Sequence, residues 1–166
     1  MMETFTTQFT FQNIKLEIQG TDDKIQSILF SHSSSNNLGT PKEEITGIIR
    51  QCIVQLEEYF SGKRKEFTIP FSLERTDFQK RVWNELLKIS YGETITYLEL
   101  AKRLGDEKCI RAAASANGKN KLSIIIPCHR VIGANGSLTG YAGGIENKRY
   151  LLELERENST QEGRLF

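Results

Sequence analysis

The chain opens with short stretches rich in Thr, Phe and Ile, and further on its apolar residues recur at three- and four-residue steps. This order predicts strands first and helices afterwards. Phe5 to Phe11, Ile14 to Ile18 and Ile25 to Phe30 are separated by Gln12-Asn13 and by Gly20-Thr21-Asp22-Asp23, which predicts a small antiparallel meander. A polar loop over 31–39 leads to Thr40-Pro41-Lys42-Glu43, where a cap, a proline at the first helical position and a glutamate placed for a capping box start a helix. Ile45, Ile48, Ile49, Cys52, Ile53, Leu56 and Phe60 form one apolar stripe that ends at Gly62. Cys52 lies on that stripe and reads as buried filler. Lys63 to Glu66 and Phe67 to Phe71 predict a connector and a final strand, with a domain boundary near 70–76.

Beyond that boundary the pattern is helical. Thr76-Asp77-Phe78-Gln79 is another capping box, ahead of Phe78, Val82, Leu86 and Ile89, with a stop near Tyr91-Gly92. Thr96-Tyr97-Leu98-Glu99 repeats the start signal before Leu100, Ala101 and Leu104, with Gly105 as the stop. Asp106 then caps a helix over roughly Glu107 to Asn117. Two short helices joined by a tight glycine turn have the outline of a helix-turn-helix. The second carries Arg111 followed by Ala112, Ala113, Ala114, Ser115 and Ala116, one long basic side chain and little other bulk. Such a run suits either close packing on a neighbouring helix or close approach to a narrow surface such as the minor groove.

Composition narrows the picture. With 166 residues, 38% hydrophobic and 26% charged, the chain suits one mid-sized domain or two small ones and excludes wholesale disorder. No apolar run approaches the roughly 20 residues that cross a bilayer. The amino end lacks a basic start and a continuous apolar stretch, so a cytoplasmic location is expected. Three cysteines cannot all pair, and Cys52, Cys109 and Cys128, with only two histidines, lack the paired spacing of a structural zinc site. No metal is expected. Residues 71–166 carry 15 Lys and Arg against 12 Asp and Glu, and Lys102 to Arg130 holds seven bases against two acids. That local excess is either a footprint for a polyanion or a solvated face.

Chemistry concentrates after the apolar, β-branched run Leu122 to Ile126, which breaks at Pro127 and is followed by Cys128, His129 and Arg130. A thiol with an ordinary pKa of about 8.5 needs a base to become a nucleophile at neutral pH, and His129 is the nearest one. Neighbours on an extended chain point to opposite sides, so their cooperation requires an irregular backbone, which Pro127 can supply. A histidine base needs an acid to orient its other nitrogen. In the last helix Ile145, Lys148, Leu151, Leu152 and Glu155 share one stripe, placing a carboxylate on a core-directed face. Glu155 either meets a histidine or arginine there or ends in water, with Glu153 and Glu157 as competing carboxylates.

Pro-Cys-His-Arg-Val at 127–131 strongly resembles the active-site signature of the O6-alkylguanine-DNA alkyltransferase family. Phe78 to Trp83, Tyr97, Arg111, Asn120, Tyr141-Ala142-Gly143-Gly144 and Glu155 extend the resemblance over roughly 75–157. It implies an α+β chain: a small, strand-rich, ribonuclease-H-like domain over 1–72, a winged-helix-like catalytic and DNA-binding domain over 73–157, and a polar tail over 158–166. It implies single-turnover transfer of an alkyl group from guanine O6, and O4-alkylthymine as a further substrate, to Cys128. His129 would take the thiol proton through a water, Glu155 would hold the imidazole, and Tyr97 would donate to guanine N3. The backbone carbonyls of Cys128 and Val131 would accept from the exocyclic amine, and Tyr141, Ala142 and Gly143 would form the pocket wall. Arg111 would fill the duplex where the base leaves through the minor groove, with Ala112, Ala113, Ser115, Ala116 and Asn120 completing the DNA-binding set. The implied partner is double-stranded DNA carrying O6-alkylguanine, met by a monomer without a cofactor. Many members carry Ser where Ala142 stands, and the zinc ligands of some relatives are absent. A non-catalytic lesion sensor or a cysteine hydrolase built on Cys128, His129 and Glu155 are the alternative readings.

Overall fold

The predicted meander forms as β1 (Phe5–Phe11), β2 (Ile14–Gly20) and β3 (Ile25–Phe30), an antiparallel sheet in that order with Phe9 opposite Leu16 and Ile18 opposite Ile28. Ile14, Leu16 and Ile18 are buried on one face of β2 at the strand period of two. The computed structural model describes residues 3–31, 45, 47–72, 74–138 and 140–163. It divides into two compact units, Met1–Ser72 with Lys121–Ser123, and Leu73–Asn120 with Ile124–Phe166.

In the first unit, α1 (Gly47–Phe60) lays Ile49, Cys52, Leu56, Tyr59 and Phe60 into the core, and Phe60 stacks on Phe9 and Phe11 at 5.9 and 5.3 Å. The capping signal at Thr40 to Glu43 and the polar loop before it lie outside the described residues. Burial pushes the Cys52 thiol up to about 12, so it is an inert filler of the helix stripe. Phe67 to Phe71 does not form the expected strand. Only Phe71 bridges Ile25, because Pro70 has no N–H and can serve the ladder only through its carbonyl, which accepts from Ile25 N at 2.9 Å. Further along the same edge of β3, Ile28 N donates to Lys121 O at 2.7 Å and Ser123 N donates to Ile28 O at 3.1 Å, so two short segments cover an otherwise open edge.

The second unit begins with α2 (Asp77–Leu86), whose capping box forms as read: Gln79 N donates to Thr76 Oγ1 at 3.2 Å and Thr76 N to Gln79 Oε1 at 3.4 Å. α3 (Tyr97–Arg103) is capped by Thr96, which accepts from Glu99 N at 3.1 Å. The chain then turns through Gly105 at a left-handed φ of 98°. Asp106 caps a three-residue 3₁₀ turn, Glu107–Cys109, and α4 (Ile110–Gly118) starts only after it, three residues later than the pattern predicted. Ala113 and Ala116 are buried, and their small size lets α4 approach α2 closely enough for Trp83 Nε1 to donate to Ala116 O at 3.0 Å.

Two short strands escaped the sequence reading, β4 (Ile95–Thr96) and β5 (Val131–Ile132), which pair in parallel. Two residues cannot display a period. The run Leu122 to Ile126 is correspondingly not an extended element: after Leu122 it turns, with Ile124 in the left-handed region at φ 75°. α5 (Ile145–Gly163) continues into the residues read as a polar tail, where Asn158 Nδ2 bonds Leu154 O and Ser159 Oγ bonds Glu155 O, both at 2.8 Å. The turn at Gly92 lies hard against this helix: a Cβ there would stand 2.0 Å from Ser159 Oγ, so a glycine is required. Among the described residues no helix is long and apolar enough to cross a membrane.

Candidate active site

Four residues before Cys128 the backbone is already forced. A β-branched residue with positive φ costs on the order of 1–3 kcal/mol, and Ile124 pays it inside a buried turn that redirects the chain toward Pro127. Pro127, at φ −79° and ψ 62°, is the centre of an inverse γ-turn closed by Cys128 N on Ile126 O at 2.7 Å. A 3₁₀ turn over Cys128–Arg130 follows at once, closed by Arg130 N on Pro127 O and by Val131 N on Cys128 O. Two tight turns in succession supply the irregular backbone that consecutive Cys and His need in order to act together.

Cys128 is buried, and its sulfur accepts from Asn120 Nδ2 at 3.1 Å while the same amide bonds Ile126 O at 2.8 Å. Asn117, one turn earlier, donates to Cys128 O at 3.3 Å. Burial pushes the Cys128 thiol above its ordinary range, opposed by the Asn120 hydrogen bond, the Lys148 charge and backbone N–H groups of the turn. The resting sulfur is therefore a protonated thiol with the partners of a thiolate already in place.

His129 is 0% exposed, and its Nε2 lies 2.6 Å from Glu155 Oε2. Burial lowers its pKa below the ordinary value against the pull of Glu155, with Arg130 and Lys148 adding to the lowering. A neutral imidazole must then donate from Nε2 to the carboxylate, leaving Nδ1 as a buried acceptor without a hydrogen-bond partner among the described residues. Glu155 is 1% exposed, which rules out the water-exposed alternative, whereas Glu153 and Glu157 are exposed. Burial would raise its carboxyl, but His129 and the Arg130 guanidinium hold it well below the usual carboxylate range.

Arg130 and Lys148 had been given no role from the sequence. Arg130 grips Glu155 at 2.7 and 3.1 Å, donates to Ile89 O at 2.7 Å and lies 5.7 Å from the Tyr91 ring. Lys148, buried, donates to Val131 O at 2.7 Å and sits 5.8 and 5.9 Å from the rings of Tyr97 and Tyr141. Burial lowers its pKa, and the charge of Cys128 opposes that. Lys148 lies on the same core-facing stripe as Glu155, so the reasoning that singled out the carboxylate applies equally to the lysine.

Tyr97 stands half-buried at the start of α3, its hydroxyl pKa raised by burial and then by the Cys128 charge. Val131 is fully buried, Tyr141 half-buried, Ala142 exposed and Gly143 buried, with Gly143 O held by Asn147 Nδ2 at 2.7 Å. The six residues grouped on α4 and just after it do not share a face. Arg111, Ala112 and Ser115 are exposed, Ala113 and Ala116 are packed inward, and Asn120 is buried on the sulfur. A nine-residue helix packed on one side can present only part of its length outward. Among the described residues no group of three His, Cys, Asp or Glu side chains is gathered to hold a metal.

Residues 77–157 match the DNA-binding domain of the 6-O-methylguanine DNA methyltransferase family, and residues 14–73 match its ribonuclease-like domain. The chain is 55% identical over 106 residues to a methylated-DNA–protein-cysteine methyltransferase of Methanosarcina acetivorans, covering 64% of this chain and 68% of that one. It is 50% identical over 120 residues to the protein of the same description from Mycobacterium bovis, covering 72% and 73%. Among solved structures, Mycobacterium tuberculosis OGT in complex with DNA is similar at a TM-score of 0.82 and 41% identity, over 92% of this chain and 93% of that one.

Proposed function

The chain belongs to the 6-O-methylguanine DNA methyltransferase family, and from that premise we propose that Cys128 is the sulfur that takes the alkyl group. Its reaction is DNA repair by direct alkyl transfer from methylated DNA to a protein cysteine. The observation that carries the residue assignment is the buried pair of His129 and Glu155 at 2.6 Å beside a thiol held by Asn120.

In this reading His129 Nδ1 takes the thiol proton through a water, with Glu155 fixing the ring through Nε2. The thiolate attacks the alkyl carbon; the S–C bond forms as the C–O6 bond breaks, and that electron pair leaves with the guanine. Tyr97 donates toward N3 of the departing base, and the proton held on His129 replaces the one Tyr97 gives. Lys148 supplies a positive charge near the sulfur and fixes the Val131 carbonyl. Tyr141, Ala142 and Gly143 form the pocket wall, where Ala142 leaves only backbone groups to meet the alkylated oxygen. The thioether that results is a stable bond, so each molecule acts once. The transfer is balanced by the chain's own groups and calls for no cofactor.

An alkylated base inside a duplex is out of reach of a buried sulfur, so the base must leave the stack through the minor groove. Arg111, exposed at the start of α4, fills the gap, while Ala112 and Ser115 let the helix approach and the inward Ala113 and Ala116 seat it on α2. O6-alkylguanine in double-stranded DNA is the substrate, O4-alkylthymine a second one, and the protein acts as a monomer in the cytoplasm.

Incubation with a duplex containing O6-methylguanine is expected to add one methyl mass to the peptide containing Cys128, never more than once per molecule. Repeated turnover would favour a hydrolase, and binding without mass gain a lesion sensor. Arg111→Ala is expected to slow repair of the duplex by at least about tenfold while leaving reaction with the free modified base unchanged, because only the duplex requires extrusion. Equal losses on both substrates, compared in single-turnover assays, would remove Arg111 from this role.

A further inference from the structure

Lys119 follows α4 directly and is exposed, while its backbone N–H closes the helix on Ser115 O and Ala116 O at 3.1 and 3.2 Å. At about 100° of turn per residue, Ser115 and Lys119 fall between Arg111 and Ala112 around the helix axis, so the four share a sector of about 100°. All four are exposed, and Ala113, Ala116 and Asn117 are buried on the other side. This is the face that the alkyl-transfer reading lays against the minor groove, and it carries a cation near each end.

The bases around it are engaged differently. Lys102 Nζ lies 3.9 Å from Glu107, Arg103 Nε lies 3.4 Å from Glu99, and Arg130 is buried on Glu155. Lys119 has no ion pair among the described residues. Its backbone is nevertheless fixed relative to the sulfur. Asn117, two residues earlier, holds Cys128 O at 3.3 Å, and Asn120, the next residue, donates to Cys128 Sγ at 3.1 Å. Eight residues of helix place Lys119 about 12 Å beyond Arg111. With Arg111 in the gap left by the base, a groove only about 6 Å wide brings a wall of phosphates within a lysine's reach of that point. We propose that Lys119 binds a backbone phosphate of the duplex, a contact that sets where the strand lies relative to Cys128 without reading its sequence. The inference rests on the alkyl-transfer reading above and adds to it a charged contact away from the atoms that react.

Duplex affinity is measured against salt concentration for the wild-type chain, Lys119→Gln, Lys119→Arg and Lys88→Gln, the last removing an equal charge from an exposed lysine just past α2. One phosphate contact contributes about 0.9 to the slope of log affinity against log salt. Lys119→Gln is expected to lose about that much slope, so that its difference from the wild type shrinks about threefold between roughly 50 and 200 mM salt. Lys119→Arg and Lys88→Gln are expected to keep the wild-type slope. Reaction of Lys119→Gln with the free modified base is expected to match the wild type, since Asn120 and the thiol are untouched. An unchanged slope in Lys119→Gln, an equal fall in Lys88→Gln or Lys119→Arg, or an equal loss of rate on the free base would overturn the inference alone. Absence of methyl uptake by the wild type from a duplex carrying O6-methylguanine would overturn the repair reading and this inference with it.

Discussion

Glu155→Ala is expected to lower the unfolding free energy by about 3–5 kcal/mol, the usual cost of removing one partner from a buried ion pair. The carboxylate meets the Arg130 guanidinium twice and the His129 ring once, all within 3.1 Å. Its loss leaves a buried cation with, among the described residues, Ile89 O and the Tyr91 ring for compensation. The sign with pH follows from the same contacts. A carboxyl held below its ordinary value stabilises the fold above the unfolded value of about 4.3 and loses that contribution as pH falls toward its folded value. His129, held neutral by burial, adds an earlier loss below about pH 6.5, where the unfolded chain binds a proton that the folded chain does not. Wild-type stability therefore declines on acidification in two stages, and the variant should retain only the stage due to His129. Urea midpoints across a pH series measure both effects, and a midpoint in Glu155→Ala equal to the wild type would contradict the network described above.

His129→Gln is expected to slow methyl transfer by on the order of 10²–10³ at neutral pH, the range of a positioned general base. Its diagnostic is the shape of the pH profile. With neutral His129 and protonated Cys128 sharing one proton, the wild-type rate should be level between the lowered His129 pKa and the raised Cys128 pKa. Without the imidazole the rate depends on the small fraction of thiolate formed unaided, so it should climb about tenfold per pH unit through the neutral range. A level profile in His129→Gln, read from single-turnover kinetics on methylated duplex, would show that the thiol proton leaves by another route.

The parts of the fold legible in advance were those with local causes. Thr76 with Gln79, Thr96 with Glu99, and Gly105 marked α2, α3 and the turn into α4, because a cap or a left-handed turn is satisfied within a few residues. The α1 stripe and the three-strand meander were equally readable, since each repeats its period several times. Phe67 to Phe71 and Leu122 to Ile126 misled because a composition suited to strands does not secure a partner; Pro70 and the left-handed Ile124 each interrupt pairing after a single bridge. The alanines of α4 suggested both packing and close approach, and the helix divides them, Ala112 outward and Ala113 and Ala116 inward.

The site divides along the same line. Cys128, His129 and the stripe carrying Glu155 were visible because a thiol, an imidazole and a carboxylate on a core-facing stripe each break a pattern that water or the core would otherwise set. Which atoms meet was not visible. That Glu155 is shared by His129 and Arg130, that Lys148 holds Val131 O, and that Asn117 and Asn120 grip Cys128 from the end of α4 are contacts between residues 8 to 26 apart in the chain. Amino-acid order alone settles which side chains can ionise, cap or pack, since those properties belong to single residues and their near neighbours. Only the folded chain decides which of them share a buried volume, because desolvation and partner geometry, and with them the protonation of a thiol and the orientation of an imidazole, arise between segments that the sequence keeps apart.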